Sequence, residues 1–333
     1  MERRRFGNSD LMVSIIGLGC YGMSGAYGPT DDAESLATIR RAIELGVNFL
    51  DTSASYGKGH NHRLIGEAIR GRRDEVVIHS KSGSPRDGNL DAVRGGGDPR
   101  YLRQTCEQSL KNLGIETLDV FCMSRVDPNV PIEESIGGMA ELFKEGKTRF
   151  ISLSECSVKS FRRGSAVYPL VSLQMEYSLF SRDAEEQGQI DACTEFGAAI
   201  MAYAVLGRGM LSAELPKVEE MAATDIRAQL PRFQIANVEK NLRLRTALEH
   251  IANRKNATLA QLSIAWPMAQ GSCAGAFIVP IPGAKSRRHL EENVRAVDIV
   301  LTAGDLAEIN HIVPPGAASG TRYPNGQMHR LNV

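Results

Sequence analysis

A chain of 333 residues with 42% hydrophobic and 23% charged side chains can bury a large core without disulfide or metal staples. Its 39 basic and 39 acidic side chains cancel, so no overall field draws it to nucleic acid or to an anionic membrane surface. Six cysteines (Cys20, Cys106, Cys122, Cys156, Cys193 and Cys273) lack C-x-x-C spacing, which argues against a zinc site or disulfide framework and for a reducing, cytoplasmic setting.

The N-terminal MERRRFGNSD has no apolar core of a secretory signal, and no run approaches the roughly 18 apolar residues of a membrane span. Residues 3–13, with Gly7-Asn8 at the tip, predict a hairpin. A strand over 14–19 follows and runs into G-L-G-C-Y-G at 17–22. That matches a dinucleotide fingerprint in letters only, because the fingerprint's third glycine must open a helix. Here M-S-G-A-Y-G-P-T-D-D intervenes, so a glycine-rich loop at a barrel mouth is the better reading.

Further strands are predicted at 47–51, 75–81, 118–123, 149–154, 170–175, 199–203 and 277–281, many of them continuously apolar as strands buried on both faces are. Helical spacing recurs at 33–45, 62–70, 99–113, 132–145, 183–196, 239–254, 259–270 and 287–296. Thr30, Asp31 and Asp32 supply capping chemistry before the first helix, and Gly46, Gly114, Gly146 and Gly197 sit just past helix ends. Eight alternating units predict a parallel sheet closed into a (β/α)8 TIM barrel, with residues 1–333 forming one domain. The long segment 207–236, with Pro216 and Pro231, belongs on the C-terminal face, where barrel loops shape active sites. The tail after Pro314 reads as irregular.

The informative stretch is G-V-N-F-L-D-T-S-A-S-Y-G at 46–57. An apolar strand ends in Asp51, Tyr56 sits in the loop beyond, and Lys81 ends the next strand, V-V-I-H-S-K. Successive barrel strands are neighbours, so the three groups share one rim. A phenol with a pKa of about 10 is a weak acid, and a nearby ammonium is expected to lower it while the carboxylate holds that ammonium charged. The trio reads as a proton donor or acceptor for a carbonyl oxygen. An Asp–Lys pair alone would equally make a structural ion pair; Tyr56 separates the two readings.

Taken with L-S-E at 153–155, L-Q-M-E-Y at 173–177, A-Y-A-V-L-G-R-G at 202–209 and I-P-G-A-K-S-R-R-H-L-E-E-N at 281–293, the chain resembles the aldo-keto reductase superfamily over nearly its whole length. The branch is the bacterial and fungal one nearest the potassium-channel β-subunits. The resemblance implies NADPH-dependent reduction of a small carbonyl substrate, with Tyr56 as general acid tuned by Lys81 and Asp51. It implies that Ser154 and Gln174 bond the nicotinamide carboxamide and that Tyr203 stacks on the ring. Gly19, Cys20, Tyr21, Leu206 and Gly207 would line the path of the dinucleotide, with Gly283, Lys285, His289, Glu292 and Asn293 around its adenosine end. Lys285, Arg287 and Arg288 gather cations at a helix start, which favours the 2′-phosphate of NADP(H).

One position departs from the family. It typically reads L-H-R-x-D-P where this chain has Met123-Ser124-Arg125-Val126-Asp127-Pro128, so Ser124 replaces the histidine that orients the carbonyl. Losing one positioned donor can cost about 10²–10³ in rate. A second function follows: an NADP(H)-loaded barrel that senses redox state or joins a partner with little turnover. His79 reads as a core histidine on the face of Lys81, Cys122 as packing, and His60 and His62 as solvated loop residues. Specificity is expected in the loops at 24–30, 82–98 and 207–236 and in the tail. No metal site is expected, and nothing in the residue list points to an oligomer.

Overall fold

The computed structural model of the protein describes residues 1–83, 95–215, 217–222 and 224–333. Most of the loop expected at 82–98 to shape specificity, and Pro216, lie outside the described residues. The chain begins with the antiparallel hairpin β1 (Arg3–Arg5) and β2 (Met12–Ser14), then alternates strand and helix. The barrel strands are β3 (Leu18–Gly19), β4 (Phe49–Ser53), β5 (Val77–Lys81), β6 (Leu118–Met123), β7 (Thr148–Ser154), β8 (Ser172–Glu176), β9 (Ala199–Tyr203) and β10 (Ile278–Pro280). All pair in parallel with their sequence neighbours. The ring closes where Gly19 bridges Gly283, and the Gly17 and Gly19 amides donate to the Pro280 and Pro282 carbonyls. A Cβ on Gly19 would stand 2.7 Å from the Ile281 carbonyl oxygen, so the seam requires the missing side chain. The protein is a (β/α)8 barrel.

Helices α1 (Asp32–Glu44), α2 (His60–Ala68), α3 (Pro99–Leu113), α4 (Ile132–Lys144) and α5 (Val158–Val167) follow the first five barrel strands. The short pair α6 (Asp183–Glu186) and α7 (Gln189–Glu195) splits the single helix expected over 183–196, because Gly188 adopts a left-handed conformation between them. Then come α8 (Ile235–Arg254), α9 (Leu259–Ala274), α10 (Arg287–Val294), α11 (Ala303–Ile312) and α12 (Asn325–Met328). The Asp31 side chain caps α1 by accepting from the Ala33 and Glu34 amides, and Gly46, Gly114, Gly146 and Gly197 all have positive φ. Only Tyr21–Ser24 forms a single turn after β3, and α1 starts at Asp32, so no helix opens on the glycine motif.

Three helices escape the sequence pattern, among them α12, a single turn in the tail read as irregular. Within α5, Gly164 weakens the periodic signal, yet a Cβ there would come 3.2 Å from Ile136; tertiary contact overrides the glycine penalty. Another is α11, held by a capping box between Thr302 and Asp305. The first barrel strand is shorter than the expected 14–19, since Ser14 pairs in the hairpin. That hairpin buries Phe6, Leu11 and Val13 against Phe49, Val77, Val120, Val171, Met201 and Val279, closing the N-terminal end of the barrel. Polar side chains therefore collect at the opposite end. Among the described residues no helix is long and apolar enough to cross a membrane.

Candidate active site

Asp51 lies in the middle of β4 and pairs in register with His79, while Ser53 pairs with Lys81. Lys81 therefore does not stand directly beside Asp51 but reaches back one rung. Its Nζ donates to both carboxylate oxygens, at 2.6 and 2.7 Å. Asp51 Oδ1 also faces His79 Nδ1 at 3.0 Å and accepts from Gln174 Nε2 at 2.8 Å. Burial would raise the Asp51 carboxyl, but Lys81 and His79 outweigh it and hold the group below its ordinary range. Burial holds His79 below its own ordinary range, against the pull of Asp51. A neutral ring facing an ionised carboxylate must donate from Nδ1, so Nε2 accepts from the Ser152 hydroxyl 3.0 Å away. His79 is thus buried, as its sequence context suggests, and aims the carboxylate that aims Lys81.

Tyr56 opens a short turn in which Gly57, Lys58 and Gly59 all take left-handed conformations. A Cβ on Gly57 would come 2.9 Å from the Ser24 Cβ, so this loop packs tightly on the one after β3. The Tyr56 ring lies 4.5 Å from that of Tyr21, and Lys81 Nζ is 5.1 Å from its centroid. The phenol is not lowered as the sequence led us to expect. Burial first, then the Asp51 charge and the phenols of Tyr21, Tyr27 and Tyr323, push it well above its usual value. A carboxylate bound through both oxygens offsets the field of the ammonium, which leaves desolvation in control.

These groups open onto a cavity of about 650 Å³ that runs from Asp51, Tyr56, Lys81 and Ser124 to the far wall after β10. Gly19, Tyr21, Gln174, Tyr203, Leu206, Gly283, Lys285, His289, Glu292 and Asn293 line it, together with Arg288. Four expected cofactor residues are not among the lining: Cys20 and Ser154 are buried, Gly207 is partly exposed in the turn after β9, and Arg287 points away to Glu34, 2.9 Å from it. Ser124 Oγ accepts from the Gly83 amide at 2.8 Å, and its own proton has no acceptor among the described residues. Of the two histidines expected to be solvated, His60 stays partly exposed and His62 does not. His62 is fully buried with Nε2 2.9 Å from Ser80 Oγ, and His60 bridges Ser24 and Asp32.

Sequence reasoning missed the cluster beneath the tail. Arg322 pairs with the buried Glu155 at 2.9 Å. Next to it, the Tyr323 hydroxyl meets Arg208 Nη2 at 3.1 Å, Tyr203 at 3.3 Å and Arg125 Nη2 at 3.4 Å. Glu176 is buried, yet Arg208, Arg322 and Arg232 bring its carboxyl down to about 2. Arg208 sits at positive φ in the G-R-G turn after β9, which was read for its glycines alone.

The buried histidines set an acid limit on stability. Burial lowers His62 to about 3 and also lowers His79, whereas an unfolded histidine takes its proton near pH 6.5. The unfolded chain then binds more protons, so stability is full above about pH 6.5 and is lost as pH falls, at up to about 1.4 kcal/mol per pH unit for each ring. Urea unfolding at pH 7.5 and 5.5 should show the loss, and His62→Gln should reduce it. Equal stability at the two pH values in the wild type would refute this account.

Comparison with known proteins agrees with this fold. The Aldo/keto reductase family model matches residues 15–314. Probable aldo-keto reductase 1 of Glycine max is 37% identical over 327 residues, covering 98% of this chain and 92% of the relative. Aldo-keto reductase yakc of Schizosaccharomyces pombe, whose name specifies NADP(+), is 38% identical over 332 residues, covering 98% and 96%. An aldo/keto reductase from Klebsiella pneumoniae, solved with NADP and acetate, aligns with a TM-score of 0.74 at 25% identity over 97% of this chain and 99% of that one. The glycerol dehydrogenase of Gluconobacter oxydans aligns with a TM-score of 0.82 at 25% identity, covering 93% and 94%. With the family model spanning the barrel and relatives matched almost end to end, this chain belongs to the aldo-keto reductase family.

Proposed function

We propose that the protein reduces aldehydes or ketones to alcohols with NADPH, taking the proton from Tyr56. The observation that carries this reading is the bidentate Asp51–Lys81 pair beneath the Tyr56 ring, in a cavity of about 650 Å³ whose lining continues to Lys285 and Asn293 after β10. The far end fits a nucleotide as well. Asn293 Nδ2 is buried without a hydrogen-bond partner among the described residues, a donor that a nucleotide acceptor would satisfy. Lys285 spends its ammonium on the Tyr27 and Pro29 carbonyls, and Arg288 makes exposed contacts with Glu214 and with His289 Nε2 that are readily exchanged for a phosphate. NADP-bound relatives support the same cofactor.

Bound NADPH supplies the hydride to the carbonyl carbon. Tyr56, neutral through the physiological range, holds the proton that the carbonyl oxygen takes as charge builds on it. Lys81 then steadies the phenolate left behind, and Asp51, fixed by His79 and Gln174, holds the ammonium in place. Tyr203 would stack on the nicotinamide, with Gln174 and Ser154 orienting its carboxamide. Gly19, Cys20, Tyr21, Leu206 and Gly207 would follow the dinucleotide backbone. Gly283, Lys285, His289, Glu292 and Asn293 would surround the adenosine, with Arg287 in reach only by leaving Glu34. Oxidation of NADPH by an activated aromatic aldehyde, followed by absorbance, tests the reading; a rate no higher than that of Tyr56→Phe would reject it.

Ser124 favours a second reading, a cofactor-loaded barrel that senses or binds rather than turns over. Its free hydroxyl proton can still donate to a carbonyl, though from a shorter side chain than histidine. If serine is only a weakened donor, Ser124→His should raise kcat for small aldehydes about tenfold, toward the 10²–10³ that such a donor is worth. A drop in kcat would show a pocket rebuilt around the serine.

A further inference from the structure

Five guanidiniums around the cavity are matched to carboxylates, and Arg125 contrasts with them. Arg208 and Arg232 meet Glu176 at 3.0 and 3.3 Å, Arg322 meets Glu155 at 2.9 Å, Arg227 meets Asp225 at 2.6 Å, and Arg288 meets Glu214 at 2.5 Å. Arg125, the residue after Ser124, lines the same cavity and has no ion-pair partner among the described residues. Its Nη1 donates to the Ser124 carbonyl at 2.6 Å and, loosely, to Ser154 Oγ at 3.4 Å; its Nη2 reaches the Tyr323 hydroxyl at 3.4 Å. A guanidinium taken largely out of water and held only by neutral partners, one carbonyl at short range and two hydroxyls at 3.4 Å, lacks a matching anion and keeps donors to spare.

We propose that Arg125, with the Tyr323 hydroxyl, forms a subsite for a carboxylate carried by the carbonyl substrate, so that the preferred substrates are oxo-acids rather than neutral aldehydes. This deepens the reductase reading and rests on it. Position argues for a substrate anion over the phosphates of the cofactor. Arg125 follows β6, the fourth barrel strand, whereas the cations suited to a nucleotide follow β10, the eighth and diametrically opposite strand. The guanidinium is also next in sequence to the residue that faces the carbonyl, so a carboxylate bound there fixes how the substrate presents its oxygen.

The tail completes the subsite. Tyr203 donates to the Glu155 carboxylate, which can only accept, so the oxygen of Tyr203 accepts from Tyr323. That link is long, at 3.3 Å, and an incoming carboxylate would take the Tyr323 proton in a shorter, charge-assisted bond while accepting from the Arg125 fork.

The test compares 3- and 4-carboxybenzaldehyde with their methyl esters, which differ in charge but keep the aldehyde. For at least one isomer the wild type should show a kcat/KM for the acid tenfold or more above that for the ester. Arg125→Leu should bring this ratio within about twofold of unity, chiefly by raising KM for the acid. Arg125→Lys should keep an intermediate ratio, and Tyr323→Phe should lower it about threefold. A wild-type ratio near unity, or one that Arg125→Leu leaves unchanged, overturns the proposal. Calorimetric binding of benzoate against benzamide to the protein without cofactor separates the two readings. Arg125-dependent binding of benzoate with no aldehyde turnover would remove the reductase and keep the subsite, whereas turnover without acid preference would do the reverse.

Discussion

Tyr56→Phe should lower the single-turnover rate of carbonyl reduction by about 10²–10⁴, the usual worth of a positioned general acid, while NADPH binding stays within a few-fold of wild type. The substitution removes one hydroxyl and keeps the ring that packs 4.5 Å from Tyr21, so the loop should hold. Stopped-flow transfer rates and cofactor fluorescence separate the two effects, and a rate within tenfold of wild type would sink the assignment. The phenol is raised by burial, so its protonated form persists as pH increases. Reduction should therefore show no loss attributable to Tyr56 up to about pH 9. Alcohol oxidation needs the phenolate and should climb with pH over the same span.

Arg322→Ala should destabilise the protein by about 3–5 kcal/mol, because it leaves Glu155 as a buried charge without its cation. Glu155 would keep the Tyr203 hydroxyl and the Glu176 amide as donors, which soften the loss but do not neutralise the carboxylate. Combining Arg322→Met with Glu155→Gln should recover much of the stability, since the amide retains an acceptor and no charge is stranded. Urea unfolding of the three proteins decides the matter. A single-variant loss below about 1 kcal/mol would mean that the pair is wetter than its burial suggests. The tail from Arg322 should also become sensitive to protease in the single variant.

What could be read from the sequence was whatever closes an apolar run. Asp51 and Lys81 close apolar runs that are neighbours in any such barrel, so their meeting follows from order along the chain. Pairings set by distant loops could not be read. Arg322 meets Glu155 across 167 positions, and its irregular tail carries no periodicity. Arg287 looked free for a phosphate because its partner Glu34 lies 253 residues earlier. His62 looked solvated because it is polar in a polar stretch, yet the start of α2 turns it inward onto Ser80. The direction of the Tyr56 shift failed for a related reason: an ammonium can be placed from sequence, but whether a carboxylate grips it with one oxygen or two depends on a rung of register.

The seam between the first and last barrel strands has one more consequence. Gly19 and Gly283 meet there, so residues from opposite ends of the chain form a single wall of the cavity. No fragment ending before β10 contains both halves of that wall, and a chain still emerging from the ribosome has no complete nucleotide cradle. Retention of the dinucleotide would thus report that α10 has been made and the ring has locked.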